Sequence, residues 1–197
     1  MIGREAELER LEELYKSGRF EFLVMYGRRR VGKTTILQEF AGRHQVIFYS
    51  AQEKNDSLNL QDFSQAVQQA LDGQFIAPFL SWKEAFSYIT KKRQSGRTVL
   101  IIDEFPFMAG TNPAVKSILQ HEIDHEWSKK EILLILCGSS VSFMVNQIMG
   151  YESPLYGRTT SVMEILPFDY LDSGKFFPFY SNEEKLTAYG ILGGIPR

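Results

Sequence analysis

The residues from Gly27 to Thr34 have the types and spacing of a phosphate-binding loop. Their sequence, GRRRVGKT, matches G-x-x-x-x-G-K-[ST] at every position. The glycines let the backbone come close to an anion, and the backbone N–H groups and the following helix N-terminus attract phosphate. Lys33 is expected to reach the β- and γ-phosphates, and the Thr34 hydroxyl to ligate Mg²⁺. The motif predicts a nucleotide-binding segment formed by Gly27, Arg28, Arg29, Arg30, Val31, Gly32, Lys33, Thr34 and Thr35.

Two acidic residues, Asp103 and Glu104, end the apolar run from Val99 to Ile102. A phosphate-binding loop predicts an acidic group at the end of a neighbouring parallel strand, and this run supplies it. Asp103 is expected to contact Mg²⁺, directly or through water, and Glu104 to orient and deprotonate an attacking water. The alternative is that Asp103 caps a loop and Glu104 is solvated. Together with the loop, the acidic pair favours hydrolysis over transfer to another acceptor.

A third apolar run, Leu133 to Cys137, ends in small polar residues that include Ser139 and Ser140. If its strand lies beside the strand of Asp103, the Ser139 hydroxyl could sense a γ-phosphate or hold the attacking water. The other interpretation is that Ser139 and Ser140 begin the next helix as an N-cap. Both interpretations remain open, so Ser139 is a candidate catalytic residue.

The segment His121-Glu122-Ile123-Asp124-His125 matches H-E-x-x-H, the zinc-binding motif of a class of peptidases. On a helix this spacing places both histidines on one face. However, a catalytic zinc needs a third protein ligand, and the extended motif would require Gly at 128 and His at 131, where Ser128 and Glu131 stand. The stripe predicted to be buried on this helix leaves the histidines towards solvent. The motif therefore favours a solvated helical face, and a zinc peptidase is a remote alternative.

Strand-like and helical segments alternate along the chain and must position these residues. Short apolar runs without alternation are typical of strands buried on both faces, and they are predicted at 20–26, 45–51, 98–103, 132–137 and 162–166. Helical patterns separate or follow them, among others at 34–42, 113–129, 141–149 and 181–190. This alternation predicts an α/β fold in which helices cover both faces of a five-stranded parallel sheet.

Composition and charge argue against several classes of protein. The formal net charge of −2 gives no overall field that would hold the chain on nucleic acid or on an anionic membrane. No apolar run reaches the roughly 20 residues needed to span a bilayer, and the N-terminus lacks the pattern of a secretory signal. The single cysteine, Cys137, cannot build a disulfide framework. We therefore expect a cytoplasmic protein without membrane contact.

Several segments, taken in order, resemble the archaeal-type ATPase family in the STAND class of AAA+-related P-loop NTPases. The matching segments are Gly3-Arg4-Glu5, Gly27 to Thr35, Ile102-Asp103-Glu104-Phe105, Gly138-Ser139-Ser140, Pro154-Leu155-Tyr156-Gly157-Arg158 and Gly193-Gly194-Ile195-Pro196. The resemblance implies a three-layer sandwich with sheet order 5-1-4-3-2, ATP and Mg²⁺ as ligands, and Gly3 and Arg4 near the adenine. It also places Arg158 where related proteins often carry an arginine finger, which neutralises charge on the γ-phosphoryl. The alternative for Arg158 is a bond to local carbonyls or to a surface carboxylate.

The resemblance also implies a division of the chain and a role. Residues 1–170 are expected to form the nucleotide-binding core, and residues 171–197 to begin a C-terminal helical or winged-helix extension that is truncated. The implied function is hydrolysis of ATP as a conformational or signalling switch, and the alternative is a nucleotide-binding assembly module with little or no hydrolysis. A homo-oligomer and a partner protein are both left open. Contact with nucleic acid is expected only through a missing domain.

Overall fold

The computed structural model describes residues 2–92 and 96–195 of the chain. Pro196, the last residue of the Gly-Gly-Ile-Pro segment, lies outside the described residues. Strands and helices alternate as the sequence predicts. In chain order they are α1 (Glu5–Lys16), β1 (Glu21–Tyr26), α2 (Lys33–Ala41), β2 (Ile47–Ser50), α3 (Asp56–Asp72), α4 (Trp82–Lys92), β3 (Thr98–Asp103), α5 (Phe105–Thr111), α6 (Ala114–His125), β4 (Ile132–Gly138), α7 (Val141–Phe143), β5 (Ser161–Glu164), α8 (Tyr170–Gly174) and α9 (Asn182–Leu192).

The five strands form one parallel sheet in the order β2-β3-β4-β1-β5. This is the predicted order 5-1-4-3-2 read from the opposite edge, so the predicted topology is confirmed. Because the strands run in the same direction, their carboxyl ends meet at one edge of the sheet. The loop after β1 therefore lies beside the end of β4, and β3 ends one strand further along. Ligands of open α/β sheets bind outside this edge.

Helices cover both faces of the sheet, which explains why the central strands are apolar at nearly every position. Successive side chains of a strand point to opposite faces. In β4, Leu134 and Leu136 enter the core beneath α3, α4, α5 and α6, whereas Leu133 and Ile135 enter the core beneath α1 and α2. Burial of both faces is the usual environment of a parallel sheet. The predicted three-layer arrangement is confirmed.

Helix α5 is absent from the sequence-based prediction. It begins directly after Glu104, and Pro106 occupies one of its first two positions, where a missing backbone N–H does not weaken a helix. The segment lacks helical periodicity because it is short and apolar on more than one side. Phe105 and Met108 are both fully buried. Packing against the sheet therefore stabilises a helix that the local sequence pattern does not predict.

The bounds of three other predicted elements differ from the structure. The helix predicted over 113–129 ends at His125, and a 3₁₀ turn over Trp127–Lys129 follows it. The buried Trp127 indole N–H donates to Thr90 Oγ1 at 2.7 Å, which holds the chain in this turn. The segment at 141–149 is a single α-turn that continues as a π-helix over Met144–Ile148. The fifth strand ends at Glu164 instead of residue 166.

The C-terminal segment contains α8 and α9 and has little buried surface. The predicted cap of α9 is present: Ser181 Oγ accepts from the Glu184 N–H at 3.3 Å, and Glu184 Oε2 accepts from the Ser181 N–H at 2.7 Å. The helix continues past the predicted end at Gly190 to Leu192, and no residue of α9 is buried. Within the two described stretches of the chain, no helix combines the length and apolar character needed to cross a membrane.

Candidate functional site

The loop between β1 and α2 has left-handed backbone just before the N-terminus of a helix. Gly32 has φ 97°, a left-handed conformation that favours glycine, and it precedes the first turn of α2. Gly27 packs against the segment after β5, since a Cβ added there would lie 2.2 Å from the Ile165 carbonyl oxygen. The Ile165 N–H also donates to the Tyr26 carbonyl at 2.7 Å. The loop is thus fixed at its start by close backbone packing and at its end by a helix N-terminus.

Lys33 and Thr34 occupy the first turn of α2, where the loop meets the sheet edge. The buried Lys33 ammonium donates to the backbone carbonyls of Gly27, at 2.9 Å, and Arg28, at 3.0 Å. The Thr34 hydroxyl donates to Asp103 Oδ2 at 2.7 Å. The structure therefore brings the loop and the acidic end of β3 together, as the sequence predicts.

Glu104 is held by the end of β4. Its Oε2 accepts from the Ser139 hydroxyl at 2.9 Å and from the Ser139 N–H at 3.2 Å. Glu104 itself has φ 51°, which is uncommon for a residue with a side chain, and its N–H donates to Asp103 Oδ1 at 3.0 Å. Gly138 permits this arrangement, because a Cβ there would lie 2.8 Å from the Pro106 ring. Ser139 thus contacts the carboxylate expected to act as base, an interaction that neither sequence-based interpretation of Ser139 included.

A cleft of ≈ 880 Å³ opens at this edge of the sheet. Its volume lies in the usual range for sites that take small molecules. It is lined by Arg29, Arg30, Gly32, Lys33, Thr34, Thr35, Glu104 and Phe107. Phe107 is the one lining residue that the sequence did not point to, because it lies on the unpredicted helix α5. Arg28 is exposed but does not line the cleft, and Val31 is buried beneath it.

The hydroxyl of Thr34 and the carboxylate of Asp103 fit the donor set of Mg²⁺. This ion prefers oxygen ligands, keeps several waters and is usually held by one or two carboxylates together with phosphate oxygens. The neighbouring Cys137 offers no competing soft ligand, because burial, aided by the Asp103 carboxylate, raises the pKa of its thiol well above the ordinary value. The residues present could therefore hold Mg²⁺ beside bound phosphates.

Arg4 lies outside the cleft-lining set, yet it contacts the phosphate-binding loop from behind. Its buried guanidinium donates to the carbonyls of Val31, at 2.8 Å, and Leu166, at 2.7 Å, and pairs with Glu7. The same group lies 4.1 Å from the centre of the Phe168 ring. Arg4 thus joins the loop to the segment that follows β5. Gly3, with φ 63°, instead approaches α8, since a Cβ there would meet the Asp172 side chain at 2.8 Å.

Arg158 does not line the cleft of its own chain. Its guanidinium makes two bonds of 2.7 Å to the Asp124 carboxylate and donates to the carbonyls of Pro154 and Tyr156, each at 3.0 Å. The bidentate bond lowers the pKa of Asp124. These contacts correspond to the alternative that the sequence left open for Arg158, a local carbonyl and carboxylate anchor. A finger role would require these bonds of Arg158 to break.

The H-E-x-x-H segment does not form a metal site. His121 and His125 are exposed on α6, with ring centres 4.4 Å apart, as expected for this spacing. Glu122 instead points into the protein, where it accepts from the Ser87 hydroxyl at 3.0 Å. Among residues 2–92 and 96–195, no group of three or more His, Cys, Asp or Glu side chains could hold a metal ion. The zinc peptidase alternative is therefore wrong, because the segment lacks the arrangement of side chains that a zinc site needs.

Comparisons with known proteins identify the family of the chain. A family of ATPase domains found predominantly in Archaea matches residues 1–197. The chain is 34% identical, over 99% of its length, to an uncharacterized protein of Methanocaldococcus jannaschii, and it spans 42% of that protein. A shorter stretch of 39 residues is 41% identical to an uncharacterized ATP-binding protein of the same organism, covering 20% of this chain and 66% of that protein.

Solved structures share the fold. The Walker-type ATPase of Pyrococcus abyssi has a TM-score of 0.76 and 22% identity, covering 100% of this chain and 65% of that one. The ORC1 protein of Aeropyrum pernix, solved in complex with DNA, has a TM-score of 0.60 and 19% identity, covering 95% and 50%. The ORC2 protein of the same organism, solved with ADPNP and ADP, has a TM-score of 0.63 and 13% identity, covering 90% and 51%. The chain thus spans less than two thirds of each of these proteins.

Proposed function

Because the chain belongs to the family of ATPase domains found predominantly in Archaea, we propose that its cleft binds ATP with Mg²⁺ and hydrolyses the bond between the β- and γ-phosphates. The observation that carries the proposal is the convergence of Lys33, Thr34 and Glu104 on one cleft, with Asp103 bonded to Thr34. The ORC2 protein of Aeropyrum pernix, similar in fold, was solved with ADPNP and ADP, which supports an adenine nucleotide as the ligand.

Each residue of the cleft has a distinct part in the proposed reaction. The loop backbone binds the phosphates, and the Lys33 ammonium exchanges its bonds to loop carbonyls for bonds to β- and γ-phosphate oxygens. Thr34 and Asp103 would hold Mg²⁺, which would supply positive charge to neutralise the phosphates. Glu104 orients a water and accepts its proton as the water oxygen attacks the γ-phosphorus. Ser139 acts as a positioning residue, because its hydroxyl and N–H fix the Glu104 carboxylate.

A switch function requires that the loop be connected to a segment that can respond. Arg4 supports such a connection, because its guanidinium bonds both Val31 in the loop and Leu166 after β5. The Phe168 N–H in turn donates to the Gly194 carbonyl at 2.8 Å, at the end of α9. We propose that phosphate binding shifts Val31 and that Arg4 passes the shift towards residues 166–195. Contact of Gly3 and Arg4 with the adenine remains a proposal that the family resemblance supports.

The charge of the chain, the length of its relatives and its cysteine bear on partners and location. The ORC1 protein of Aeropyrum pernix was solved with DNA, whereas this chain has a formal net charge of −2. The longer relatives contain sequence that this chain does not span. We therefore propose that any contact with nucleic acid is made by a further domain, such as a winged-helix extension that begins within residues 171–197. We propose that the conformational change acts on a neighbouring copy of the chain or on another protein. The free Cys137 supports a reducing cytoplasmic location.

Removal of Mg²⁺ tests the proposed reaction. With ATP and MgCl₂ we expect steady release of phosphate, and excess EDTA should reduce it to the rate of ATP alone, because the charge on the transferred phosphoryl is then not neutralised. Phosphate release measured by a coupled spectrophotometric assay checks this, and MgCl₂ added back after EDTA is the control. Release that persists in EDTA would contradict the proposal. ATP binding without any release in Mg²⁺ would favour the nucleotide-binding assembly module instead.

A further inference from the structure

Two arginines of the phosphate-binding loop line the same cleft as the proposed base. Arg29 and Arg30 line the cleft together with Lys33 and Glu104. Arg28, which belongs to the same run of arginines, is exposed without lining the cleft. Positions 29 and 30 therefore lie beside the cleft in which a terminal phosphate would be bound.

Neither cleft arginine has a carboxylate partner in the described stretches of the chain. The arginines at 4, 10, 19, 43 and 158 each form an ion pair, whereas those at 29 and 30 form none within residues 2–92 and 96–195. The two carboxylates of the site have other partners, since Asp103 accepts from Thr34 and Glu104 accepts from Ser139. Positive groups beside Lys33 repel one another. An anion with several charges in the cleft would attract each of them and offset that repulsion.

The backbone at Arg30 is held in an uncommon conformation. Arg30 has φ 70°, and it is one of two non-glycine residues with positive φ in the described chain; the other is Glu104. Such conformations concentrate at functional sites, where the surrounding structure enforces them. The two residues with this backbone geometry thus line the same cleft.

We propose that Arg29 and Arg30 act in cis as the arginine finger of this domain, by contacting the γ-phosphoryl oxygens. This inference rests on the proposed function. As the water oxygen bonds to the γ-phosphorus, the bond from that phosphorus to the bridging oxygen breaks, its electron pair stays on ADP, and the water proton passes to Glu104. The guanidinium groups stabilise the negative charge on the transferred phosphoryl during this step. Arg158 is not needed for it, because its Nε and Nη2 donate to the Asp124 carboxylate and its Nη1 donates to the carbonyls of Pro154 and Tyr156.

Single substitutions at the two positions test the inference. In Arg29→Ala and Arg30→Ala we expect kcat to fall by about ten- to a hundredfold each, less than the 10³–10⁵ of a sole arginine finger, because one guanidinium remains. The affinity for ATP should change far less than kcat, and the Arg29→Lys and Arg30→Lys variants should recover part of the rate. Phosphate release at saturating ATP gives kcat, and calorimetric titration in the presence of Mg²⁺ gives the affinity. Thermal unfolding identifies any variant that has not folded.

Arg43→Ala is the matched control, because Arg43 is exposed and pairs with Glu39 at the far end of α2. It removes one guanidinium from the same loop–helix unit and should leave kcat unchanged. The inference is overturned if the alanine variants at 29 and 30 keep the kcat of the Arg43 control, or if they lose only ATP affinity. It is also overturned if Arg158→Ala abolishes turnover and the turnover of the unsubstituted protein rises with protein concentration. That result would mean that a second chain supplies the arginine finger. If the unsubstituted protein releases no phosphate, the proposed function itself fails, which is a different result.

Discussion

Replacing Glu104 with glutamine is expected to lower kcat by about 10²–10⁴-fold, the range that a general base contributes, while ATP still binds. Glutamine has nearly the same shape, so its amide oxygen can accept from the Ser139 hydroxyl and N–H as the carboxylate does. It cannot take a proton from water. Phosphate release at saturating ATP measures the loss of kcat, and calorimetric titration measures the affinity that should be retained.

Glu164→Gln is the control for the loss of one negative charge. Glu164 is exposed at the carboxyl end of β5, on the same edge of the sheet, but it does not line the cleft. Its kcat should match that of the unsubstituted protein. Equal phosphate release by the Glu104 and Glu164 variants would show that Glu104 is not the general base. The cleft would then be a nucleotide-binding site without an identified base.

Replacing Gly27 with alanine is expected to abolish ATP binding and to destabilise the domain. The added Cβ would lie 2.2 Å from the Ile165 carbonyl oxygen, and backbone atoms must separate to admit it. That separation breaks the contact between the end of β1 and the segment after β5, and it displaces the carbonyl to which Lys33 donates. Overpacking of this kind costs about 1–3 kcal/mol in the free energy of unfolding. Chemical denaturation measures that loss, and titration with Mg²⁺ and ATP measures the loss of binding.

Gly157→Ala is the control that distinguishes loss of the contact between Gly27 and Ile165 from the backbone strain of any glycine with positive φ. Gly157 has φ 72° and no atom within 4 Å of an added Cβ, so its substitution introduces only the conformational penalty of about 1–2 kcal/mol. This variant should still bind ATP. If Gly27→Ala binds ATP as the Gly157 variant does, the phosphate-binding loop does not depend on its packing against Ile165.

The loop and the acidic pair could be predicted from the sequence because their signals are local. The phosphate-binding loop is one continuous segment, and the runs before Asp103 and Ser139 are apolar at consecutive positions, as buried parallel strands require. The structure confirms that Thr34 and Asp103 meet. Arrangement of these strands in the order 5-1-4-3-2 came from the family resemblance, since periodicity alone does not say which strands are neighbours.

The features of the site that the sequence did not predict depend on contacts between segments that are distant in sequence. The bond from Ser139 to Glu104 follows from the neighbouring ends of β3 and β4 and from the left-handed backbone at Glu104, neither of which has a local signature. Arg158 finds Asp124, 34 residues away, among several acceptors that its long side chain could reach. Phe107 lines the cleft because tertiary packing forms α5. Side-chain partners of this kind are set by the folded surroundings, not by sequence spacing.

The most direct test of the central claim is a calorimetric titration of the unsubstituted protein and of Lys33→Ala with ATP in the presence of Mg²⁺. The cleft predicts saturable binding to the unsubstituted protein, and a loss of about 2–5 kcal/mol in binding free energy for the variant, because a buried ammonium that would bond the phosphates is removed. Equal affinity of the two proteins, or no binding to the unsubstituted one, would contradict the assignment of this cleft as the nucleotide site.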